Sequence, residues 1–314
     1  MKWKPTRRNP KLEDRRGQGG GGGGCGLPGG SGGGMNLPIP TGGKGGMGIG
    51  TILIIIVVFF VLRSCGGDGG GFNVPNLPSD QSQVPPAQQT DPGAPPAEGG
   101  EAQDQGKEFV NFVLTDLEGF WTQQFQSEGR ELQPAGLVLF SDAVSSGCGR
   151  ASSATGPFYC PLDQKAYVDL TFFNQLDKQF GAPGDFAQAY VLGHEYGHHI
   201  QQQLGVEQEV RDQSQSNPGD ANELSVRLEL QADCFAGLWG RSLYEQGVLE
   251  DGDLEEGITA AEAVGDDRIQ EKTQGRVDPE SFTHGTSEQR RSWFRKGYDS
   301  GDIAECDTFS VDEV

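Results

Sequence analysis

The chain has 314 residues, of which 50 are glycine and only 34% are hydrophobic, and its formal net charge is −21. This hydrophobic content is low for one packed body of such length, so part of the chain is predicted to lie outside any core. The first 46 residues are basic and the remainder is strongly acidic. The basic run is short and has no aromatic residue apart from Trp3, which does not indicate a nucleic-acid-binding protein.

The N-terminal head, residues 1–46, contains a long glycine tract and is predicted to be disordered, because such sequence buries too little apolar surface to fold. The uncharged run "MGIGTILIIIVVFFVL" follows, flanked by Lys44 and Arg63. A helix of this length extends roughly 24 Å, near the thickness of the hydrocarbon core of a bilayer. Residues 47–63 are therefore predicted to form a transmembrane helix. A buried core strand or helix is the alternative, but the glycine-rich flanks provide no core around it.

The positive-inside rule places the basic head in the cytoplasm and the rest of the chain in the periplasm or outside the cell. Residues 64–106 are rich in proline, glycine and glutamine and are predicted to be a linker to a folded domain of residues 107–314. Cleavage of the apolar run would instead give a soluble secreted protein. The long preceding region and the lack of a small-residue cleavage pattern disfavour that alternative.

The cysteine spacing agrees with an oxidising compartment. Cys148 and Cys160 would close a short loop, which predicts a disulfide. Cys234 and Cys306 could form a second bond. Because Cys234 lies on the apolar face of a predicted helix, a buried free thiol is an equal alternative.

Within the domain, the predicted elements run from strands to helices, which predicts an α+β fold. "KEFVNFVLTDLEGFWTQQF" has the spacing of an amphipathic helix, "GLVLF" reads as a buried strand, and "FYCPLDQKAYVDL" reads as a hairpin. A helix that carries the histidines is predicted to begin with Asp185 as its N-cap. The later helices are predicted at 222–247, near 253–271 and near 286–297.

The chain has only four histidines, and three of them fall within "GHEYGHH". His194 and His198 are four residues apart on one helix, so they lie about 40° apart in azimuth and one turn apart in height. Two imidazoles in this arrangement can bind one tetrahedral zinc ion, and Glu195 can act as general base on a zinc-activated water. His199 points about 100° away from His198 and is interpreted as a polar neighbour or a surface residue. An ordinary helix with chance histidines is the alternative.

A third protein ligand is required, and the extended motif with a third histidine is absent, because Gln201 and Leu204 occupy its positions. "ELQAD" supplies carboxylates instead, since Glu229 and Asp233 lie four residues apart beside an apolar stripe. Glu229 is predicted to bind the metal, and Asp233 to accept a hydrogen bond from a ligating histidine. The alternative is that Glu229 is one of many solvated glutamates in an acidic chain.

Four blocks occur in order along the chain: "AQAYVLGHEYGHHIQ", "RLELQADCFAGLWG", "GDLEEGITAAEAVGDDRIQ" and "SFTHGTSEQRRSWFRKGYDSGD". Together they resemble the putative neutral zinc metallopeptidase family of bacterial single-pass membrane proteins. The resemblance covers nearly all of residues 107–314, together with the head and the apolar run. It implies a zincin-like fold of the gluzincin type, with one zinc ion held by His194, His198 and Glu229 and with Glu195 as the catalytic acid.

The fourth histidine lies in "THGTSEQR", which is similar to a "THPxxxxR" element of other membrane-associated gluzincins, with Gly285 in place of the proline. His284 is a candidate to approach the zinc and to hydrogen-bond the developing oxyanion. Alternatively, a neighbouring threonine caps the last helix and His284 is incidental. Arg290 could pair with Asp233 or with another acid close to the ligands.

These observations predict a membrane-anchored, zinc-dependent endopeptidase that acts on a peptide or protein, with no nucleic-acid partner. The strand in "AYVDL" is a candidate edge on which an extended peptide could lie. The competing expectation is a non-catalytic envelope binding or assembly module that uses zinc for folding. Glu195 separates the two, because a purely structural site has no use for a base there.

Overall fold

The structure is a computed structural model that describes residues 1–18 and 98–314. Among these residues, no helix combines the length and the apolar character needed to cross a bilayer. The predicted transmembrane helix, residues 47–63, lies outside the described ranges, as does the predicted linker as far as residue 97.

The central sheet has the strand order β1-β2-β6-β5. β2 is parallel to both β1 and β6, and β5 is antiparallel to β6. All five residues of β2 are buried, as its unbroken apolar sequence requires. A separate antiparallel hairpin joins β3 to β4. The strands are β1 (Leu12–Asp14), β2 (Gly136–Phe140), β3 (Ala143–Ser146), β4 (Gly149–Ser152), β5 (Phe158–Cys160) and β6 (Lys165–Asp169).

β6 lies between β2 and β5, so the prediction that "AYVDL" forms an edge strand is wrong. The composition of that strand indicates burial, but it does not determine which strands become its neighbours. The outer strands of the sheet are β1 and β5. β5 is the outer strand next to the histidines, because the hydroxyl of its Tyr159 lies 2.8 Å from Nδ1 of His199.

The first 18 residues are folded onto the domain, so the prediction of a disordered head is wrong for this part of residues 1–46. They supply β1, and Leu12 is only 2% exposed within the main core. This strand was not predictable from sequence patterns, because three residues with two acids among them form neither an apolar run nor a clear alternation. Residues 19–46 lie outside the described ranges.

Most of the remaining described chain is helical, which together with the small sheet gives an α+β fold. The helix α1 begins inside the predicted linker, so the predicted domain boundary at residue 107 is too late. The helix predicted near 253–271 is two helices, which meet at Gly265. The helices are α1 (Glu98–Ser127), α2 (Thr171–Lys178), α3 (Asp185–Leu204), α4 (Val206–Ser216), α5 (Ala221–Glu245), α6 (Asp253–Ala263), α7 (Asp266–Gln274) and α8 (Ser287–Ser300).

The helix α5 packs against α3 on one side and against α8 on another, and glycines bring the backbones together. A Cβ at Gly237 of α5 would lie 1.9 Å from the carbonyl oxygen of Phe294 in α8. Reciprocally, a Cβ at Gly297 of α8 would lie 2.0 Å from the carbonyl oxygen of Cys234. No larger residue fits at either position without separating the helices, so this contact fixes how α5 and α8 cross.

Two disulfides are present among the described residues. Cys148 and Cys160 tie the β3–β4 hairpin to β5, with their Cα atoms 5.8 Å apart. Cys234 and Cys306 tie α5 to the C-terminal segment, with their Cα atoms 5.5 Å apart. Both bonds fit the oxidising compartment that the cysteine spacing predicts.

The C-terminal segment is also bound to α5 through Arg227. The guanidinium donates hydrogen bonds to the backbone carbonyls of Thr308 at 2.5 Å, Val311 at 2.8 Å and Asp312 at 3.1 Å. In return, the hydroxyl of Thr308 donates to the carbonyl of Arg227. The end of the chain is therefore part of the surroundings of α5.

Candidate active site

The helix α3 carries the histidine motif, and its start is fixed by a glycine and by α6. Gly184, which precedes the helix, has a φ of 112°, and a Cβ there would lie 2.0 Å from the Glu256 carboxyl carbon. Only glycine accepts both constraints without strain. The Glu256 carboxylate accepts a hydrogen bond from the backbone N–H of Phe186. Asp185 is thus the first helical residue rather than the predicted N-cap, and Glu256 satisfies a free N–H at the helix start.

The candidate metal-binding side chains come from α3 and α5. Gly197 of α3 faces α5 so closely that a Cβ there would lie 3.1 Å from Cα of Ala232. This approach brings Glu229 to the histidines. Its Oε2 lies 3.1 Å from Nε2 of His194, and its Oε1 lies 3.6 Å from Nε2 of His198. One potential ligand atom from each of these three residues lies within 4.8 Å of the other two.

The three residues fit a zinc ion by the chemistry of their donors. Nδ1 of His194 lies 2.9 Å from Oδ1 of Asp233, and Nδ1 of His198 lies 2.9 Å from Oε1 of Gln201. Because each Nδ1 donates a proton to an oxygen, Nε2 is the nitrogen of each ring that faces a metal ion and can bind it once deprotonated. Two imidazole nitrogens and one carboxylate form a common ligand set of catalytic zinc.

The charges of the site are coupled through the same contacts. Burial alone would lower the pKa of His194, but the carboxylates of Asp233 and Glu229 raise it to about 9. Burial alone would raise the pKa of Glu229, but the two histidines of α3 hold it well below its ordinary value. Glu229 is 8% exposed and ionised. The proton on Nε2 of His194 is the one that a bound metal ion would replace.

Behind the ligands, Asp233 forms a buried cluster with Arg290 of α8 and Tyr190 of α3. Its carboxylate accepts hydrogen bonds from Nε of Arg290 at 2.7 Å and from Nη2 at 2.9 Å. The Tyr190 hydroxyl donates to the same carboxylate at 2.5 Å. Asp233 is 0% exposed, so its charge is balanced inside the protein by that of Arg290. The cluster fixes the orientation of the His194 ring.

Glu195, the next residue after the first ligand, is also buried. Its side chain projects from α3 beside both ligating imidazoles. Burial raises the pKa of its carboxyl above the ordinary value, and His194 and His198 partly oppose that shift. A carboxylate with raised basicity next to a metal centre is suited to accept a proton from water.

His284 reaches the same region from the segment between α7 and α8. Asp266, the first residue of α7, accepts hydrogen bonds from the backbone N–H groups of Thr283 and His284, both at 2.6 Å. Oδ1 of Asp266 also lies 3.1 Å from Nδ1 of His284. This carboxylate orients the ring so that Nε2 is the free nitrogen. His284 is near enough to Glu229 to lower the pKa of that carboxyl.

His199 does not face the metal ligands and is not a surface residue, since it is 0% exposed. Its Nε2 donates to the carbonyl of Gln133 at 2.6 Å, and its Nδ1 accepts from the Tyr159 hydroxyl of β5. Burial lowers the pKa of His199 to about 4, so the ring is neutral. The residue therefore links the histidine helix to the edge strand.

The structure adds residues that the sequence argument did not identify. Tyr190 precedes His194 by four positions and Gln201 follows His198 by three, so helical spacing contained a signal for both. Asp266 lies on a different helix from any other member of the site, and no periodicity connects it to His284. Thr286 caps α8 by accepting a hydrogen bond from the backbone N–H of Gln289, as one alternative predicted. His284 nevertheless lies close enough to Glu229 to lower the pKa of that carboxyl, so the cap does not make His284 incidental.

A protein family and several bacterial proteins resemble this chain in sequence. A family model described as "Putative neutral zinc metallopeptidase" matches residues 1–309. The chain is 45% identical to "Uncharacterized protein YpfJ" of Escherichia coli (strain K12) over 310 residues, which are 98% of this chain and 99% of the relative. It is 49% identical to "Uncharacterized protein Rv2575" of Mycobacterium tuberculosis (strain ATCC 25618 / H37Rv) over 189 residues, 57% of this chain and 63% of the relative. No solved structure matches the chain.

Proposed function

We propose, from the premise that this chain belongs to the putative neutral zinc metallopeptidase family, that it is a zinc-dependent endopeptidase. The observation that carries the proposal is the convergence of two Nε2 atoms and the Glu229 carboxylate within 4.8 Å, beside the buried carboxylate of Glu195. A site of three protein ligands with a neighbouring base is typical of catalytic rather than structural zinc.

When bound, zinc would polarise the carbonyl of the scissile bond and increase the acidity of water. Glu195 accepts the proton of the attacking water and then transfers it to the leaving amine nitrogen. His194, His198 and Glu229 would hold the ion, and Asp233 keeps the ring of His194 in one tautomer. No covalent bond forms between the protein and the substrate.

His284 supports the same reaction from the α7–α8 segment. Because Asp266 holds Nδ1 of this ring, Nε2 is available to donate a hydrogen bond to the oxyanion that develops on the substrate. His284→Ala is expected to reduce turnover while the zinc content is unchanged. Asp266→Asn is expected to reduce turnover less severely, since the ring is retained but is free to rotate.

The outer strand β5 is the proposed place for an extended peptide substrate, in place of the strand β6 that the sequence favoured. It has one strand partner in the sheet, and its Tyr159 is bonded to His199, next to a ligand. A peptide could pair with its free side by β-augmentation. The predicted membrane anchor stays a prediction, since the apolar run lies outside the described residues. The two disulfides support an extracytoplasmic place of action.

The test compares wild type with Glu195→Gln in the full-length chain, measuring bound zinc and cleavage of an unfolded protein. We expect equal zinc content and loss of cleavage in the variant, because glutamine cannot accept the proton. Glu209→Gln, an exposed substitution on α4, is the matched control and should behave like wild type. Equal cleavage by wild type and Glu195→Gln would refute the role of Glu195 as general base. No cleavage by zinc-loaded wild type would favour the non-catalytic zinc-stabilised module.

A further inference from the structure

The N-terminal strap, residues 1–18, is bound to the rest of the described chain along its whole length. Its strand β1 pairs in parallel with β2, with Leu12 opposite Leu137 and Asp14 opposite Leu139. The N–H of Leu137 donates to the Lys11 carbonyl at 3.0 Å, and the N–H of Arg15 donates to the Leu139 carbonyl at 2.8 Å. The strap thereby covers the edge of an entirely buried strand, and an open edge of that kind would promote aggregation.

Polar contacts fix the strap to α1. The backbone N–H of Asn9 donates to Oδ1 of Asn111 at 2.7 Å, and its side-chain amide donates to Glu118 at 2.8 Å. The side-chain amide of Asn111 donates to the Thr6 hydroxyl at 2.9 Å. Asn9 and Asn111 are both buried, so these bonds satisfy groups that would otherwise lack partners. Such specific pairing indicates that the strap is docked in one defined position on α1.

Apolar and charged contacts extend the fit at both ends of the strap. The Trp3 ring packs edge-on against Phe109 of α1, with the ring centroids 5.4 Å apart. The amino group of Met1 lies 3.0 Å from the carboxylate of Asp185, the first residue of the helix that carries the histidines. At the other end, Asp14 lies 2.8 Å from the ammonium group of Lys107. The strap therefore spans from the sheet to the start of the zinc-binding helix.

We propose that the N-terminal strap is a permanent part of the catalytic domain and lies on the same side of the membrane as that domain. Hydrogen bonds of about 3 Å cannot form across a bilayer whose hydrocarbon core is about 30 Å thick. The contacts between the strap and the domain are therefore incompatible with opposite membrane sides for the two segments. Since disulfides persist in oxidising compartments, the shared side is outside the cytoplasm.

Two of the basic residues of the strap are paired with acids inside the folded unit. Arg15 and Arg16 are paired with Glu13 and Asp14 in the structure, and Lys107 also contacts Asp14. This inference is independent of peptidase activity, because it depends on contacts that a non-catalytic domain would make equally.

The experiment labels single cysteines in the full-length chain with a membrane-impermeant maleimide, before and after lysis of spheroplasts. Lys4→Cys reports on the strap and Lys178→Cys on the domain, each at an exposed position and with Cys25 and Cys65 replaced by serine. Equal labelling of both before lysis is the expected result. Labelling of Lys178→Cys before lysis with Lys4→Cys reactive only afterwards would overturn the proposal. Labelling of both only after lysis would support the shared side but overturn its assignment to the outside.

A second measurement tests the contact itself. Thr6→Cys combined with Asn111→Cys is treated with a short bismaleimide, and the linked peptides are identified by mass spectrometry. We expect a link within one chain, or a link between two chains if the strap of one copy docks on another, and both results keep strap and domain together. Each single-cysteine variant is the control. Absence of any link, with both cysteines reactive towards the free maleimide, would show that the strap is not docked.

Discussion

Replacing Asp233 by asparagine removes a charge behind the metal ligands without changing any ligand. The carboxylate accepts two hydrogen bonds from Arg290 and one each from the Tyr190 hydroxyl and from Nδ1 of His194. Asparagine has the same shape but only one acceptor oxygen, and its NH2 group would face a donor. The guanidinium of Arg290, itself 3% exposed, would then be buried without a counter-charge.

The expected loss of stability follows from this arrangement. Removing one partner of a buried ion pair costs about 3–5 kcal/mol. In a domain of this size each 1 kcal/mol shifts the Tm by about 2–4 °C, so the Tm of Asp233→Asn should decrease by roughly 6–20 °C. The loss of the acceptor behind His194 should also weaken zinc binding by roughly 10–100-fold. These two effects are separable by experiment.

Thermal unfolding in the presence of a chelator measures the first effect, and competition with a chromogenic zinc chelator measures the second. Asp212→Asn, an exposed isosteric change on α4, is the control and should stay within about 0.5 kcal/mol of wild type. The pair Asp233→Leu with Arg290→Met removes both charges and should recover much of the lost stability but not the zinc affinity. A decrease in Tm of less than about 2 °C for Asp233→Asn would refute the role given to this ion pair.

Three further changes test the packing, the cross-links and the strap. Gly237→Ala should destabilise the fold by several kcal/mol, because the added Cβ would overlap a carbonyl of α8. Gly219→Ala is the control, since a Cβ there would meet no other atom within 4 Å. Equal Tm values for the two variants would contradict the close contact between α5 and α8. Cys234→Ser should cost about 2–4 kcal/mol in denaturant unfolding under non-reducing conditions, and the mutant and wild type should converge when reductant is added. The hydrogen bond from Arg16 lowers the pKa of Asp14, so this residue stabilises the fold at neutral pH and the stabilisation is lost as the pH falls below about 4. The difference in Tm between wild type and Asp14→Asn should shrink over that range, and a constant difference from pH 7 to pH 3 would exclude this coupling.

The residues of the candidate metal site could be predicted because helical geometry acts over single turns. His194 and His198 lie one turn apart on α3, and Glu229 and Asp233 have the same spacing on α5, so each pair was visible without knowing the fold. The crossing of α3 and α5 depends on the contact of Gly197 with Ala232, which spacing alone does not reveal. The sequence therefore indicated which residues face the site, but not the distances between them.

Other parts of the molecule depend on contacts between distant segments. Asp266, which lies 18 positions before His284, orients its ring. Asp266 begins α7, whereas the sequence predicted one continuous helix near 253–271. The strand β1 becomes a strand only because β2 presents a free edge to it. The strand in "AYVDL" was predicted to be an edge but lies between β2 and β5, since neighbours in a sheet are chosen by tertiary packing.

The attachment of the C-terminal segment to α5 has a practical consequence for shortened versions of the protein. Arg227 precedes the ligand Glu229 by two residues, and its guanidinium takes its acceptors from the carbonyls of Thr308, Val311 and Asp312. A truncation just after Cys306 would preserve the disulfide and every candidate zinc ligand, yet it would leave the buried guanidinium of Arg227 without those oxygens. Purification tags and fluorescent fusions placed at this end consequently need a spacer that leaves the last eight residues undisturbed.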